Sequence, residues 1–300
     1  MSVGWVKLKL PATSANLGPG FDAAGLAMSM HLRVEAQEAP EFSLRAFGRD
    51  AERCGWVQRN LILDTYKSVL AEAGRDVRPI ALTLQNEIPL GMGCGSSAAA
   101  LLAGVAMADS LGGLGLGDVG IVAEASRREG HPDNVAACWF GGFTVSALTD
   151  SGVDVATFAG HPEWRLLLVV QPTSLATRQA RALLPDAFSK ADTVFNLQRT
   201  AMLVAAFAQR RLDLLATAME DRLHQPYRLE ACPLLKMLLP LSGSGGVAGA
   251  ALSGAGPSVL MVLATDADED DVKAQVLKLT GGNVELVSLR IAGGVTRVSG

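Results

Sequence analysis

Alternation of apolar and polar positions predicts strands in both halves of the chain. Residues 6–10, 26–36 and 80–84 alternate large apolar side chains with smaller or polar ones, as half-buried strands do. Residues 166–170 form a continuous apolar run, which predicts a buried strand. Further strands are predicted at residues 140–148, 247–252, 259–264 and 284–291.

Segments whose apolar residues have helical spacing lie between these strands. Residues 97–111 carry Ala, Leu, Val or Met at nearly every position, which predicts a buried helix that begins at an N-cap Ser96 and ends at Gly112-Gly113. Other helices are predicted at residues 61–73, 119–128, 192–209, 212–223, 233–239 and 268–279.

The order of these elements predicts an α+β protein of two domains. Residues 149–163 are polar, contain glycine and suit a crossover, so we expect domains at residues 1–160 and 161–300. The tail reads strand–strand–helix–strand, the pattern of an α+β sandwich with a mostly antiparallel sheet.

Composition and charge limit the classes of protein to which the chain can belong. The net charge of −4 gives no electrostatic support for nucleic-acid binding. Four cysteines without a CxxC pair and four dispersed histidines favour reduced structural thiols over disulfides or zinc, as in a cytoplasmic protein. Residues 237–265 lack charge, but their glycines and prolines favour strand–turn–strand over a membrane helix, and no leader pattern is seen.

A glycine-rich segment at residues 88–100 is the first candidate for chemistry. It joins a predicted strand to the buried helix, and Gly91, Gly93 and Gly95 allow several backbone N–H groups to converge on one point. With the positive helix end behind them, these donors suit a phosphate chain. The segment fits neither a Walker A loop nor a Rossmann fingerprint, and a tightly packed corner without ligand is the alternative.

Three other segments carry polar residues beside tight turns. Asn16 and Asp22 flank Gly18-Pro19-Gly20 and can either bind an ammonium or hydroxyl group or cap local backbone. Residues 129–134 follow a predicted helix, and either Glu124 or Glu129 could supply a Mg²⁺ ligand, unless both belong to a solvated helix end. The small residues 251–258 permit close approach of a ligand or backbone, or form a plain hairpin.

Taken in order, the four segments resemble the GHMP small-molecule kinases. The motifs read Pro-Ala-Thr-Ser-Ala-Asn-Leu-Gly-Pro-Gly-Phe-Asp, then Pro-x-x-x-Gly-x-Gly-Ser-Ser-Ala-Ala, Glu-Gly-His-Pro-Asp-Asn and Leu-Ser-Gly-Ala-Gly-Pro-Ser, and span residues 8–258. The first and third motifs are most similar to the branch that acts on homoserine. The resemblance implies an N-terminal ATP-binding domain with a left-handed type of βαβ nucleotide site and a ferredoxin-like C-terminal α+β sandwich.

The resemblance also implies roles for individual residues. ATP would be bound by positions matching the adenine and phosphate segments of the family: Asn60, Leu61, Ile62, Pro89, Leu90, Gly91, Met92, Gly93, Cys94, Gly95, Ser96 and Ser97. The positions on the acceptor side are Asn16, Asp22, His131, Asn134, Thr177, Arg181 and Arg228. Mg²⁺ would be bound by Ser97 and, by spacing from His131, by Glu124 rather than Glu129. Cys94 departs from the usual Leu or Met, which is expected to loosen packing behind the loop.

The implied reaction is ATP-dependent phosphorylation of L-homoserine in threonine biosynthesis. Because Asn134 replaces the Asp that serves as base in some relatives, we expect direct in-line transfer without an Asp general base. The alternatives are a kinase of the same family acting on another alcohol, such as mevalonate, and an ATP-binding homologue without activity. A homodimer is compatible with the family and is not fixed by these residues.

Overall fold

The computed structural model describes residues 4–158, 163–173 and 177–300, with only the backbone of Thr177. The strands are β1 (Trp5–Asn16), β2 (Gly20–Glu38), β3 (Ser43–Gly48), β4 (Ile80–Asn86), β5 (Phe143–Thr149), β6 (Gly152–Phe158), β7 (Arg165–Val170), β8 (Val247–Leu252), β9 (Val259–Leu263), β10 (Glu285–Arg290) and β11 (Thr296–Ser299). The helices are α1 (Ala51–Cys54), α2 (Leu61–Glu72), α3 (Ser96–Gly112), α4 (Gly117–Glu129), α5 (Asp133–Phe140), α6 (Thr177–Arg181), α7 (Lys190–Gln209), α8 (Leu215–Ala218), α9 (Gln225–Arg228), α10 (Pro233–Leu238) and α11 (Glu269–Thr280). Short 3-10 turns lie at Val57–Arg59, Leu212–Leu214 and Leu239–Leu241.

The first sheet is built on the long antiparallel pair β1 and β2. Its strand order is β11-β1-β2-β4-β3, with β3 parallel to β4, while β5 pairs with another part of β2 and forms a hairpin with β6. Both long strands extend past their predicted ends toward each other, since Ala15 and Asn16 pair with Gly25 and Gly20. The tight turn at residues 17–19 therefore lies at the tip of a hairpin.

Helix α3 packs against this sheet, as its uniformly apolar sequence predicts. Ala98, Leu102 and Ala106 are fully buried within it. The prediction of Ser96 as N-cap is wrong: Gly95 occupies that position in the left-handed region, and Ser96 is the first helical residue. The predicted end is confirmed, since Gly113 caps the helix in a left-handed conformation.

The second sheet has the order β10-β7-β9-β8 with every pairing antiparallel, as the tail pattern predicts. Strand β7 is buried on both faces. Leu167 and Val169 pack in a core with α10 and α11, whereas Leu166 and Leu168 join the core of the first sheet. The predicted strands at residues 247–252 and 259–264 are confirmed within the uncharged stretch, and the described residues include no helix long and apolar enough to cross a bilayer.

Several elements differ from the prediction. Residues 152–158 of the expected crossover form strand β6, which lies at an edge of the sheet. Phe140 ends helix α5 rather than opening a strand. The single helix expected at residues 212–223 is a 3-10 turn followed by the four-residue α8. Strand β11 returns to the first sheet and pairs with β1. The domain boundary near residue 160 stays a prediction.

Candidate active site

The four glycine-rich and polar segments meet around one cavity of about 210 Å³. The cavity is lined by Ala15, Asn16, Phe21, Asp22, Gly91, Gly93, Cys94, Gly95, Ser96, Ser97, Glu129, His131, Asp133, Asn134, Arg181, Arg228, Gly254 and Ala255. Residues 239 positions apart in the sequence, such as Asn16 and Ala255, therefore face the same space. Most of the predicted site residues lie here, and six exceptions on the nucleotide side, together with Glu124 and Thr177, are described below.

The loop before α3 has the geometry of an anion site. Gly91, Gly93 and Gly95 all have φ near +70°, values of 72°, 73° and 69° that side chains with a Cβ rarely adopt. The loop is braced from two sides, because Ser253 Oγ donates to Gly93 O at 2.7 Å and the Thr13 backbone N–H donates to Cys94 O at 3.1 Å. This bracing fixes the N-terminus of a 17-residue helix at the cavity, where the helix dipole and unpaired N–H groups favour negative charge.

Three residues of the loop segment lie outside the cavity lining, and Cys94 belongs to that lining as a buried residue. Pro89, Leu90 and Met92 line a separate crevice, and the Leu90 N–H donates to Asp50 Oδ2 at 3.1 Å. Cys94 is buried, with Sγ 3.6 Å from Met92 O, and this burial raises the pKa of its thiol to about 12. Cys94 is therefore a neutral packing residue of the loop.

A second pocket of about 240 Å³ adjoins the loop on its other side. It is lined mainly by apolar groups, includes the predicted Asn60, Leu61 and Ile62, and shares Ser96 and Ser97 with the main cavity. Asn60 caps helix α2, since its Oδ1 accepts from the N–H groups of Ile62 and Leu63 and its Nδ2 donates to Cys54 O at 2.8 Å. Both polar atoms of the Asn60 side chain are therefore engaged in hydrogen bonds that stabilise this wall of the pocket.

On the opposite side of the cavity, an ion pair joins the hairpin tip to helix α6. Arg181 donates to both carboxylate oxygens of Asp22, at 2.9 and 2.6 Å. Asn16 shapes the turn, because its Oδ1 accepts from the Asp22 N–H at 3.1 Å and its Nδ2 donates to Gly254 O at 2.9 Å. The local capping expected as an alternative for Asn16 is therefore present, while its side chain also lines the cavity.

Arg228 is a buried cation at the same cavity. Its residue is 1% exposed, its Nε donates to Ala180 O at 3.2 Å, and no carboxylate among the described residues forms an ion pair with it. Burial, followed by repulsion from Arg181, lowers the pKa of Arg228. A buried guanidinium of this kind favours an anionic ligand.

His131 lies just before helix α5, and Asn134 lies in its first turn. His131 Nδ1 lies 2.7 Å from Asp133 Oδ1, and Asn134 Oδ1 accepts from Thr13 Oγ at 2.7 Å. Burial opposes the charged imidazolium, but the hydrogen bond and charge of Asp133, aided by Glu129, raise the pKa of His131 overall. Asp133 and Thr13 were missed by sequence reasoning, although both belong to the quoted motifs.

The two carboxylates considered for a metal lie in different surroundings. Glu124 pairs with Arg127 and Arg128 on its own helix and does not line the cavity. Glu129 lines it and accepts a hydrogen bond from Ser97 Oγ. A hydroxyl and a carboxylate beside an anion site are oxygen donors of the kind Mg²⁺ binds, so Ser97 and Glu129 fit such an ion.

Three side chains that could bind a metal ion also lie close together at the cavity. Ligand atoms of Asp22, His131 and Asp133 lie within 4.8 Å of one another, but the structure already engages them with Arg181 and with each other. The side chain of Thr177, predicted on the acceptor side, lies outside the described residues.

Known proteins match this chain over most of its length. The family described as "GHMP kinases N terminal domain" matches residues 60–142, and "GHMP kinases C terminal" matches residues 203–281. A homoserine kinase of Solibacter usitatus is 47% identical over 261 residues, which cover 87% of this chain and 86% of that protein. A homoserine kinase of Deinococcus radiodurans is 41% identical over 255 residues, covering 84% and 82%. The crystal structure of homoserine kinase from Cytophaga hutchinsonii shares the fold, with a TM-score of 0.80, 24% identity and coverage of 98% and 97%.

Proposed function

The chain belongs to the GHMP kinase family, and on that premise we propose that it transfers the γ-phosphoryl group of ATP to the side-chain hydroxyl of L-homoserine. The products would be ADP and O-phospho-L-homoserine, a step of threonine biosynthesis. One observation carries the proposal: a glycine-lined anion site, the buried guanidinium of Arg228 and the carboxylate of Asp22 face one cavity. Its curated relatives at 47% and 41% identity are homoserine kinases, which supports the same conclusion.

The acceptor side suits an amino acid zwitterion. A free amino acid needs a cation for its carboxylate and an anion for its ammonium group. Arg228 supplies the first without an internal competitor among the described residues, and Asp22 supplies the second. The ammonium group would share the Asp22 carboxylate with Arg181, so that the ligand is bound at both charged groups.

The nucleotide side combines an apolar pocket with the braced loop. The pocket beside Leu61 and Ile62 suits a planar base, and the shared residues Ser96 and Ser97 connect it to the anion site. The N–H groups of the loop would face the phosphate chain, where they act as fixed donors that require no reorganisation during transfer. We assign the metal ligands to Ser97 and Glu129 rather than Glu124. Mg²⁺ bound there would supply positive charge against the phosphoryl oxygens.

Transfer would proceed without an Asp general base at position 134. The amide of Asn134 accepts a hydrogen bond from Thr13 and cannot take up a proton near neutral pH. The bond from the γ-phosphorus to the β-phosphate oxygen breaks as the hydroxyl oxygen bonds to phosphorus, and the hydroxyl proton leaves to a phosphoryl oxygen or to water. The chain's contribution is therefore positioning and electrostatic stabilisation.

The test is ADP release from ATP with Mg²⁺ and one acceptor at a time: homoserine, mevalonate, phosphomevalonate, galactose or none. We expect release with homoserine well above the reaction without acceptor, and a phosphorylated amino acid by mass spectrometry. Release with mevalonate or galactose alone would indicate another member of the family. Nucleotide binding without release for any acceptor would indicate a homologue without activity.

A further inference from the structure

The buried Arg228 is held by a histidine that is not part of the cavity lining. His224 is fully buried, and its two ring nitrogens have different partners. Nε2 lies 2.7 Å from Gly18 O on the hairpin tip, and Nδ1 lies 3.0 Å from Arg228 Nη1. The imidazole also stacks on Phe21, with ring centroids 5.3 Å apart.

These two contacts fix the protonation state of the imidazole. A backbone carbonyl only accepts hydrogen bonds, so Nε2 carries the hydrogen and donates to Gly18 O. A guanidinium only donates, so Nδ1 keeps its lone pair and accepts from Arg228. His224 is therefore neutral in the Nε2–H tautomer, because a second ring hydrogen would face the Arg228 N–H directly.

The backbone around the imidazole is fixed by a buried carboxylate. Asp221 Oδ2 accepts from the N–H groups of His224 and Gln225, at 3.0 and 2.6 Å. Its Oδ1 accepts from the Leu223 N–H and from Asn196 Nδ2. The charged groups that face the imidazole are Asp221, Arg228 and Asp22. Burial, aided by the positive charge of Arg228, outweighs the two carboxylates and lowers the pKa of His224.

With Nη1 on His224 and Nε on Ala180 O, the guanidinium plane has one orientation. Nη1 also lies 3.4 Å from Gly254 O, whereas no acceptor among the described residues takes a hydrogen bond from Nη2. The edge that carries Nη2 is thus left for a ligand in the cavity. Without the acceptor at Nδ1, the guanidinium could rotate about its side-chain bonds and lose this alignment.

We infer that His224 is a positioning residue which, through its Nδ1 acceptor, aligns the Arg228 guanidinium with the carboxylate of the amino acid acceptor. This inference rests on the proposed function. Neutral His224 thereby ties the hairpin tip that carries Asp22 to the cation on helix α9, so that the two charged groups of the acceptor are recognised at a fixed separation.

Two substitutions separate the roles of the ring nitrogens. In His224→Asn the amide oxygen can replace Nδ1 as acceptor for Arg228, whereas in His224→Gln the amide nitrogen can replace Nε2 as donor to Gly18. We expect His224→Gln to raise KM for homoserine about tenfold, equivalent to about 1.4 kcal/mol, with KM for ATP little changed. We expect His224→Asn to raise it much less. A role confined to the Gly18 turn predicts the opposite order.

A substrate lacking the carboxylate supplies the control. The preference for homoserine over 3-aminopropan-1-ol, the same chain without its carboxylate, should fall in His224→Gln by the same factor as KM rises. An unchanged preference, or equal losses for homoserine and ATP, would overturn the inference. If His224→Gln does not fold cooperatively, ¹⁵N NMR of the wild-type histidines decides, since a protonated or Nδ1–H His224 is incompatible with the inference.

The outcomes also distinguish this inference from the proposed function. A wild-type enzyme inert on homoserine defeats the proposed function and the inference with it. An active wild-type enzyme whose His224→Gln variant keeps its KM for homoserine defeats the inference alone.

Discussion

Replacing Gly93 by alanine tests whether the braced loop is the phosphate site. A Cβ on Gly93 would lie 2.1 Å from the backbone oxygen of Ser253 and 2.9 Å from that of Gly256. Because carbon–oxygen contacts normally begin near about 3.3 Å, the loop or the Ser253 backbone would have to move by about 1 Å. A displacement of that size in a positioning group can cost about 10²-fold in rate.

Gly74 provides a matched control for backbone strain. It has φ of +65°, close to the +73° of Gly93, but a Cβ there would meet nothing within 4 Å. Both alanine variants should lose roughly 1–2 kcal/mol of stability from the left-handed backbone alone. Only Gly93→Ala should lose turnover.

The assay combines kcat/KM for ATP, from ADP release with homoserine, with thermal unfolding of each variant. We expect kcat/KM to fall about 10²-fold in Gly93→Ala and to stay near the wild-type value in Gly74→Ala. If the two variants differ by less than about threefold, a difference under about 0.7 kcal/mol, the loop is not the phosphate site.

Three further predictions follow from the surrounding residues. Glu129→Gln should raise the Mg²⁺ concentration needed for half-maximal rate by about tenfold or more, while Glu124→Gln leaves it nearly unchanged; the reverse order in a Mg²⁺ titration would return the metal to Glu124. Asp22→Asn should weaken homoserine binding far more than ATP binding by calorimetry, and equal losses would remove Asp22 from the acceptor side. The lowered pKa of His224 means that the unfolded chain takes up its proton first, so wild-type stability falls as pH drops below 6.5. The wild-type free energy of unfolding in urea should therefore exceed that of His224→Asn by less at pH 5.5 than at pH 8. A difference that stays constant over this range would contradict the prediction.

Local signals predicted the structure of the glycine-rich loop and of the helix after it. The alternate glycines and the run of small apolar residues after them are consecutive in sequence, and they fold as a loop followed by helix α3. The error at Ser96 also has a local cause. The turn needed a left-handed residue directly before the helix, and Gly95 could adopt it, whereas a Cβ there would lie 1.9 Å from Thr13 Oγ.

Contacts between segments that are far apart in sequence could not be predicted from local patterns. His224 looks like an ordinary residue until the fold brings it to Gly18, 206 positions earlier. Edge strand β11 has only four residues, all of them exposed, so no alternation of buried and exposed positions marks it. Spacing favoured Glu124, but its position four residues before Arg128 on one helix face pairs the two charges.

The hydrogen bond that braces the glycine-rich loop has a consequence for how the protein matures. Ser253, whose hydroxyl anchors Gly93, is synthesised 160 residues after it. A growing chain on the ribosome would thus contain the loop, its helix and Asp22 long before Ser253 emerges. On the proposed function, we expect nucleotide to bind firmly only after residue 253 has emerged, when most of the chain has been translated.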